Sequence, residues 1–257
     1  MSDAGLSNYE RTGPLAARGA FNARHATRSW FGWVAERMPD APAGPVLDAG
    51  CGPGWLWAEA RGKAAAGRLV LIDRSPAMVA AAMARLAPLA PVGAVADIAA
   101  LPLADARFAT VMAGHVLYHA ADPARAVAEL DRVRAPGGTM IVTTIGEADM
   151  PEVRALMRRV FGRDPGDATL ARFGARRAEA ILGERFPDLR HHVFTDDYVI
   201  EDADMLAGYL LSMPPGTGLD AAGRGRLRGA VAEALAAAGG RIVTRRVQSL
   251  FAMRGPN

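Results

Sequence analysis

What this 257-residue chain has little of narrows its chemistry before any motif is read. It has one cysteine, Cys51, which excludes an internal disulfide and a cysteine cluster for zinc. It has one lysine, Lys63, beside abundant arginine and alanine. No run of about 18 uncharged apolar residues occurs, so a membrane span is not expected. The opening Met-Ser-Asp-Ala-Gly lacks the pattern of a signal peptide, and the expected location is the cytoplasm. There are five histidines; His191 and His192 are adjacent and would face opposite sides of a strand, so they are read as structural and no metal is expected. Net charge is only +3, with arginines interspersed among acids rather than gathered in a block, which argues against a nucleic-acid partner.

What is there is 51% hydrophobic and organised around one stretch, Pro45 to Gly54. Val46, Leu47 and Ala49 suit a strand buried on both faces. Gly50, Gly52 and Gly54 allow positive φ and let backbone approach a ligand closely, and a helix from about Trp55 would aim its free N–H groups at whatever the turn holds. A second buried strand, Arg68 to Asp73, ends in an acid 19 residues after Gly54, where a ribose would present its hydroxyls. A nicotinamide-binding turn has similar glycines. Asp48, immediately before them, fits an ammonium group better than a pyrophosphate, since carboxylate and phosphate repel.

The alternation of strand and helix continues. Ser75 and Pro76 cap a helix over Ala77–Ala87; Val92 to Ala96 forms a third strand, ended by Asp97; Phe108 to Gly114 forms a fourth. Asp122 and Pro123 start a helix to Arg134, Pro136-Gly137-Gly138 is a turn, and Thr139 to Thr144 is strand five. Residues 146–188 break the rhythm with helices over Pro151–Phe161 and around Ala175–Gly183 and read as a cap. A strand over His191–Ile200, a helix over Asp202–Ser212, a loop, a helix over Ala221–Ala238 and a strand over Arg241–Met253 complete the chain. Before all of these, Phe21, Trp30, Trp33, Val34 and Met38 suggest one amphipathic helix, stopped by Pro39.

Asp48-Ala-Gly-Cys-Gly-Pro-Gly54, Asp73, Ala96-Asp97 and Arg134-Ala-Pro-Gly-Gly138 resemble, in order and spacing, the successive motifs of class I S-adenosylmethionine-dependent methyltransferases. The closest likeness is to the type 11 domain, which includes ubiquinone, menaquinone and natural-product methyltransferases. The resemblance covers about residues 45–145. It implies an α/β fold, a Rossmann-like seven-stranded sheet flanked by helices, with the last strand antiparallel and inserted between strands five and six. It implies an N-terminal helical lid at 1–40 and a methyltransferase domain at 41–257 carrying the cap. Cofactor residues carried over are Tyr9 and Arg18 in the lid, Asp48, Gly50, Cys51, Gly52, Asp73, Arg74, Asp97, Ile98, Gly114 and His115. S-adenosylmethionine would be consumed to S-adenosylhomocysteine without a metal.

Chemistry is expected after strand four, where open α/β sheets place ligands. His119, Tyr118 and then His115 are the candidates to orient or deprotonate an acceptor. The aromatic and apolar content of residues 1–40 and 146–220 points to a small apolar acceptor, plausible in secondary metabolism, for a monomer or homodimer. A nucleic-acid methyltransferase would carry a basic module or an Asn-Pro-Pro-Tyr motif at strand four, where this chain has His115-Val-Leu-Tyr118. A non-methylating cyclase on the same fold stays open, since fold does not fix function.

Overall fold

The computed structural model describes residues 12–40, 42–64 and 68–255. The strands are β1 (Val46–Ala49), β2 (Leu69–Asp73), β3 (Val92–Val95), β4 (Phe108–Gly114), β5 (Arg134–Ile145), β6 (Arg190–Ile200) and β7 (Ile242–Arg254). They form one seven-stranded sheet in the order β3-β2-β1-β4-β5-β7-β6. β1, β2, β3, β4 and β5 pair in parallel, and β7 runs antiparallel beside β5, with Thr139 opposite Arg254 and Ile145 opposite Gln248. The fold is therefore the Rossmann-like mixed sheet expected from the motifs, with the last strand reversed. Helices are α1 (Thr12–His25), α2 (Trp30–Ala35), α3 (Trp55–Glu59), α4 (Pro76–Arg85), α5 (Pro123–Val133), α6 (Pro151–Phe161), α7 (Gly166–Phe173), α8 (Ala175–Gly183), α9 (Ala203–Leu211) and α10 (Ala221–Ala237).

The chain separates into two compact units. One comprises Ser29–Glu147, Leu170–Phe194 and the segment from Gln248 onward. Strand alternation sorts its core onto the two sheet faces: Leu47, Ala49, Ile72, Val111, Ala113, Met140 and Val142 join one cluster, while Val46, Leu69, Leu71, Met112 and Ile141 join the other. Both faces are apolar because helices cover both, the requirement of a parallel sheet. The second unit comprises residues 12–28, Ala148–Thr169 and Thr195–Val247. It has its own core of Phe21, Met150, Val153, Leu156, Tyr198, Leu206, Leu210, Leu227 and Val231.

Local chemistry explains several boundaries. Ser75 and Asp122 each accept an N–H at the start of α4 and α5, with Pro76 and Pro123 at the first helical position, and Asp202 caps α9. Other expectations are corrected. The helix expected through Phe21–Met38 is two helices, because the Ser29 hydroxyl accepts from Gly32 N at 3.0 Å and opens a new helix, while Thr27 N donates to Asp196 Oδ2 at 2.9 Å. Pro136-Gly137-Gly138 is part of β5 rather than a turn before it. The segment is absorbed as an irregularity: the register against β4 shifts between Phe108 and Thr110, Gly137 takes φ +66°, and Arg134 donates to the Gly138 carbonyl at 3.1 Å. α7 occupies a stretch for which the sequence suggests no element, and the helix after the glycine turn is five residues long. Of the segments expected as lid and cap, 29–40 and 170–188 belong to the sheet-bearing compact unit.

Candidate functional site

The three glycines of the turn after β1 serve three different ends. Gly50, at φ +86°, leaves no room for a side chain, since a Cβ there would stand 2.4 Å from Val116 Cγ2 in the turn after β4. Gly54, at φ +73°, opens α3 against α4, where Leu86 Cδ1 and the Ala82 Cβ would lie 2.9 and 3.2 Å from an added Cβ. Gly52, at φ +51°, has no atom of the described residues within 4 Å of that position, so it is the one at which a ligand can approach the backbone. The turn is tied to β2 by Gly50 N and Cys51 N, both donating to the Ile72 carbonyl.

Three acids stand at the carboxyl ends of adjacent parallel strands. Asp48, on β1, is 4% exposed. Its Oδ2 accepts from Trp57 Nε1 at 2.7 Å, and among the described residues no cation pairs with it. Burial pushes its pKa up to about 7; the Trp57 hydrogen bond opposes that rise and the nearby Asp73 charge adds to it. Asp73, ending β2, accepts from Gly52 N at 3.0 Å through one oxygen and from Ser75 N at 2.9 Å through the other, and burial also raises its pKa. Asp97, beyond β3, is exposed and accepts from Ala99 N at 2.9 Å, beside the buried Ile98. Arg74 is exposed just past β2. The Cys51 thiol is held protonated by burial and by Asp48 and Asp73, and it donates to the Gly52 carbonyl at 3.4 Å, so it serves packing rather than nucleophilic chemistry.

Beyond Gly114, His115 takes φ +50° and its N–H is held by the Thr143 carbonyl at 3.0 Å and hydroxyl at 3.2 Å. Leu117–His119 is a 3-10 turn in which Leu117 is buried while Tyr118 and His119 stay half-buried. The Tyr118 and His119 rings meet edge to face at 4.5 Å, and His115 lies 6.3 Å from Tyr118. One sheet end thus assembles Asp48, Gly50, Gly52, Asp73, Gly114, His115, Tyr118 and His119.

Arg18 lies in the other unit and donates to the Ser212 carbonyl at 2.8 Å, and Tyr9 lies outside the described residues. His191 stacks on Phe251 at 4.3 Å with Nε2 3.0 Å from the Ser249 hydroxyl, the structural role expected of it. Two residues that motif spacing did not single out belong to the site. Trp57 holds Asp48, and Trp30 on α2 packs its ring 5.5 Å from His115. The density of tryptophan in Trp55-Leu56-Trp57 was a visible signal, but the partner of an indole N–H is set by folding. Among the described residues no group of three histidine, cysteine or acidic side chains could hold a metal.

Residues 47–142 match the family model described as a methyltransferase domain. Malonyl-[acyl-carrier protein] O-methyltransferase of Pseudescherichia vulneris is 35% identical over 133 residues, covering 51% of this chain and 49% of that protein. Trans-aconitate 2-methyltransferase of Methylobacterium nodulans is 35% identical over 144 residues, covering 55% and 53%. The chain spans about half the length of the curated relatives it matches. Among solved structures, Haemonchus contortus phosphoethanolamine N-methyltransferase 2, in complex with S-adenosylhomocysteine, superposes with a TM-score of 0.56 at 17% identity, over 89% of this chain and 53% of that one; this likeness shows the fold alone.

Proposed function

We propose, from the premise that the chain belongs through residues 47–142 to the class I S-adenosylmethionine-dependent methyltransferases, that it transfers a methyl group to an oxygen, nitrogen or carbon of a small metabolite. The observation that carries this reading is Asp48: a buried carboxyl whose described partner is a neutral indole fits a cationic ligand group, and beside it Gly52 leaves open space. When bound, S-adenosylmethionine supplies a methyl carbon made electrophilic by its sulfonium. Asp48 would hold the ammonium of its amino-acid end. Asp73 would accept the ribose hydroxyls, because the backbone N–H groups of Gly52, Ser75 and Arg74 do not fill the roughly four acceptor sites of a carboxylate. Asp97 and the Ile98 backbone would take the adenine edge.

His119, with Tyr118 against it, would orient the acceptor or take its proton, and His115 stands next in line. The relatives named for malonyl-[acyl-carrier protein] and trans-aconitate make carboxylic acids the first acceptors to try, alongside small aromatic hydroxyl compounds. The test has two parts. Calorimetry should find S-adenosylhomocysteine binding, weakened in Asp73→Ala by about 1–3 kcal/mol through loss of hydrogen bonds to an uncharged ribose. Incubation with S-adenosylmethionine and each acceptor should add the mass of a methyl group to one of them. Absence of binding would end the reading, and binding without methyl transfer to any acceptor would favour a non-methylating role.

A further inference from the structure

We propose that Trp57 is a positioning residue for the methyl donor: its indole N–H holds one oxygen of Asp48, so that the other is presented to the donor's ammonium group. The inference rests on the reading of Asp48 given above. Trp57 is fully buried and Asp48 nearly so, and the two meet at 2.7 Å between Nε1 and Oδ2. An indole is a neutral donor with no acceptor, so it can orient a carboxylate without neutralising it, which a lysine or arginine in its place would do. The remaining negative charge is left for a ligand.

The geometry is held from several sides. α3 is only five residues long, but it starts at Gly54, whose missing side chain lets the helix lie against Ala82 and Leu86. Leu56, Trp57 and Ala60 then join the same cluster as Ala82 and Leu86. The Ser29 hydroxyl hydrogen-bonds Glu59 at the other end of α3. A residue needed only to fill this core could be phenylalanine; a buried indole N–H requires a partner, and its partner here is the acid at the end of β1. Among the described residues, the charged or titratable groups acting on Asp48 are Asp73 from β2 and the Cys51 thiol in the turn after β1, and Trp57 from α3 adds its neutral hydrogen bond. Burial and Asp73 drive Asp48 toward its neutral form, and the Trp57 bond is the contact that opposes them. Binding an ammonium group requires the ionised form, so removing the indole N–H raises the pH at which the donor binds.

The test is calorimetric titration with S-adenosylhomocysteine, which keeps the ammonium group, between about pH 6 and pH 9. Wild-type affinity should rise with pH to a plateau as Asp48 ionises. In Trp57→Phe the affinity near neutrality should fall by about 10–100-fold, and the midpoint of the rise should move up by about one pH unit or more. Placed in an Asp48→Asn background, the same change should alter affinity by less than about threefold, because its effect passes through the carboxylate. Should Trp57→Phe not fold, wild-type protein suffices. Its Trp57 indole N–H resonance, assigned by elimination with Trp30→Phe, Trp33→Phe and Trp55→Phe, should titrate with the midpoint of the affinity curve and shift on adding S-adenosylhomocysteine. An unchanged midpoint in Trp57→Phe, an undiminished loss in the Asp48→Asn background, or a resonance indifferent to pH and ligand would overturn the role of Trp57 alone. Wild-type protein that binds no S-adenosylhomocysteine at any pH would remove the parent reading as well.

Discussion

Asp48 carries a carboxyl in a place where its ionised form is costly, with one neutral donor against it among the described residues. Its pKa stands at about 7 against an ordinary 3.8, so across that interval the folded chain holds a proton that the unfolded chain has released. Stability from this group is therefore greatest at and below the ordinary value and declines as pH rises through the window toward 7. Asp48→Asn keeps an acceptor for Trp57 and removes the titration. The variant is expected to be more stable than wild type by a few kcal/mol near pH 8, with the gap closing toward pH 4, while losing most of its affinity for S-adenosylhomocysteine. Urea unfolding at the two pH values checks the first half and calorimetry the second. At His119 the expected outcome depends on the acceptor. A hydroxyl acceptor must lose a proton, so His119→Ala should cut turnover by about 10²–10⁴; a carboxylic acid is already ionised near neutral pH, and the same variant should then stay within about tenfold of wild type. Rates measured with one acceptor of each kind separate a base from a residue that shapes the pocket.

At the scale of elements, the turn between β1 and α3 shows how one motif divides its labour. Gly50→Ala combines an unfavourable φ of +86° with a Cβ 2.4 Å from Val116, a contact that must displace the turn after β4. It should destabilise the fold by about 2–4 kcal/mol. Gly52→Ala meets only the strain of φ +51°, because among the described residues nothing lies within 4 Å of the new methyl. Its stability loss should be about 1 kcal/mol, yet its loss of affinity for S-adenosylhomocysteine should be the larger of its two effects, since the methyl enters the space read as the donor's. Thermal melts and calorimetry on the pair resolve the two roles. Much at this scale was legible: glycine placement, the helix starts at Ser75 and Asp122, and the prolines that follow them are local chemistry that a sequence states directly. The split between α1 and α2 was not, because the 3.6-residue pattern runs across it and what breaks it includes the carboxylate of Asp196, far along the chain.

At the scale of the whole molecule, each compact unit closes its own core, and His25 sits in that of the second, 9% exposed and stacked on Phe21 at 4.5 Å. Burial, and then the charge of Arg24, lower its pKa below 6.5, with Asp202 opposing. The unfolded chain therefore takes up the proton more readily, and the stability tied to a neutral His25 is complete above 6.5 and lost as pH falls below it. The stability of wild type relative to His25→Phe should fall on acidification through that range, as equilibrium unfolding at a series of pH values would reveal. The sequence by itself determined the strand-helix alternation and the acids at Asp48, Asp73 and Asp97, because these follow from local periodicity and from spacing along a single crossover; the reversed last strand was only implied by the family resemblance, and the pairing of β7 with β5 decides it. Only the tertiary structure decided that Trp57 is the partner of Asp48, that Trp30 lies against His115, that Val116 occupies the space beside Gly50, and that residues 29–40 and 170–188 go with the sheet. Those are meetings between elements, and which side chains share a buried volume is set by how faces pack, a quantity that no local window of sequence contains.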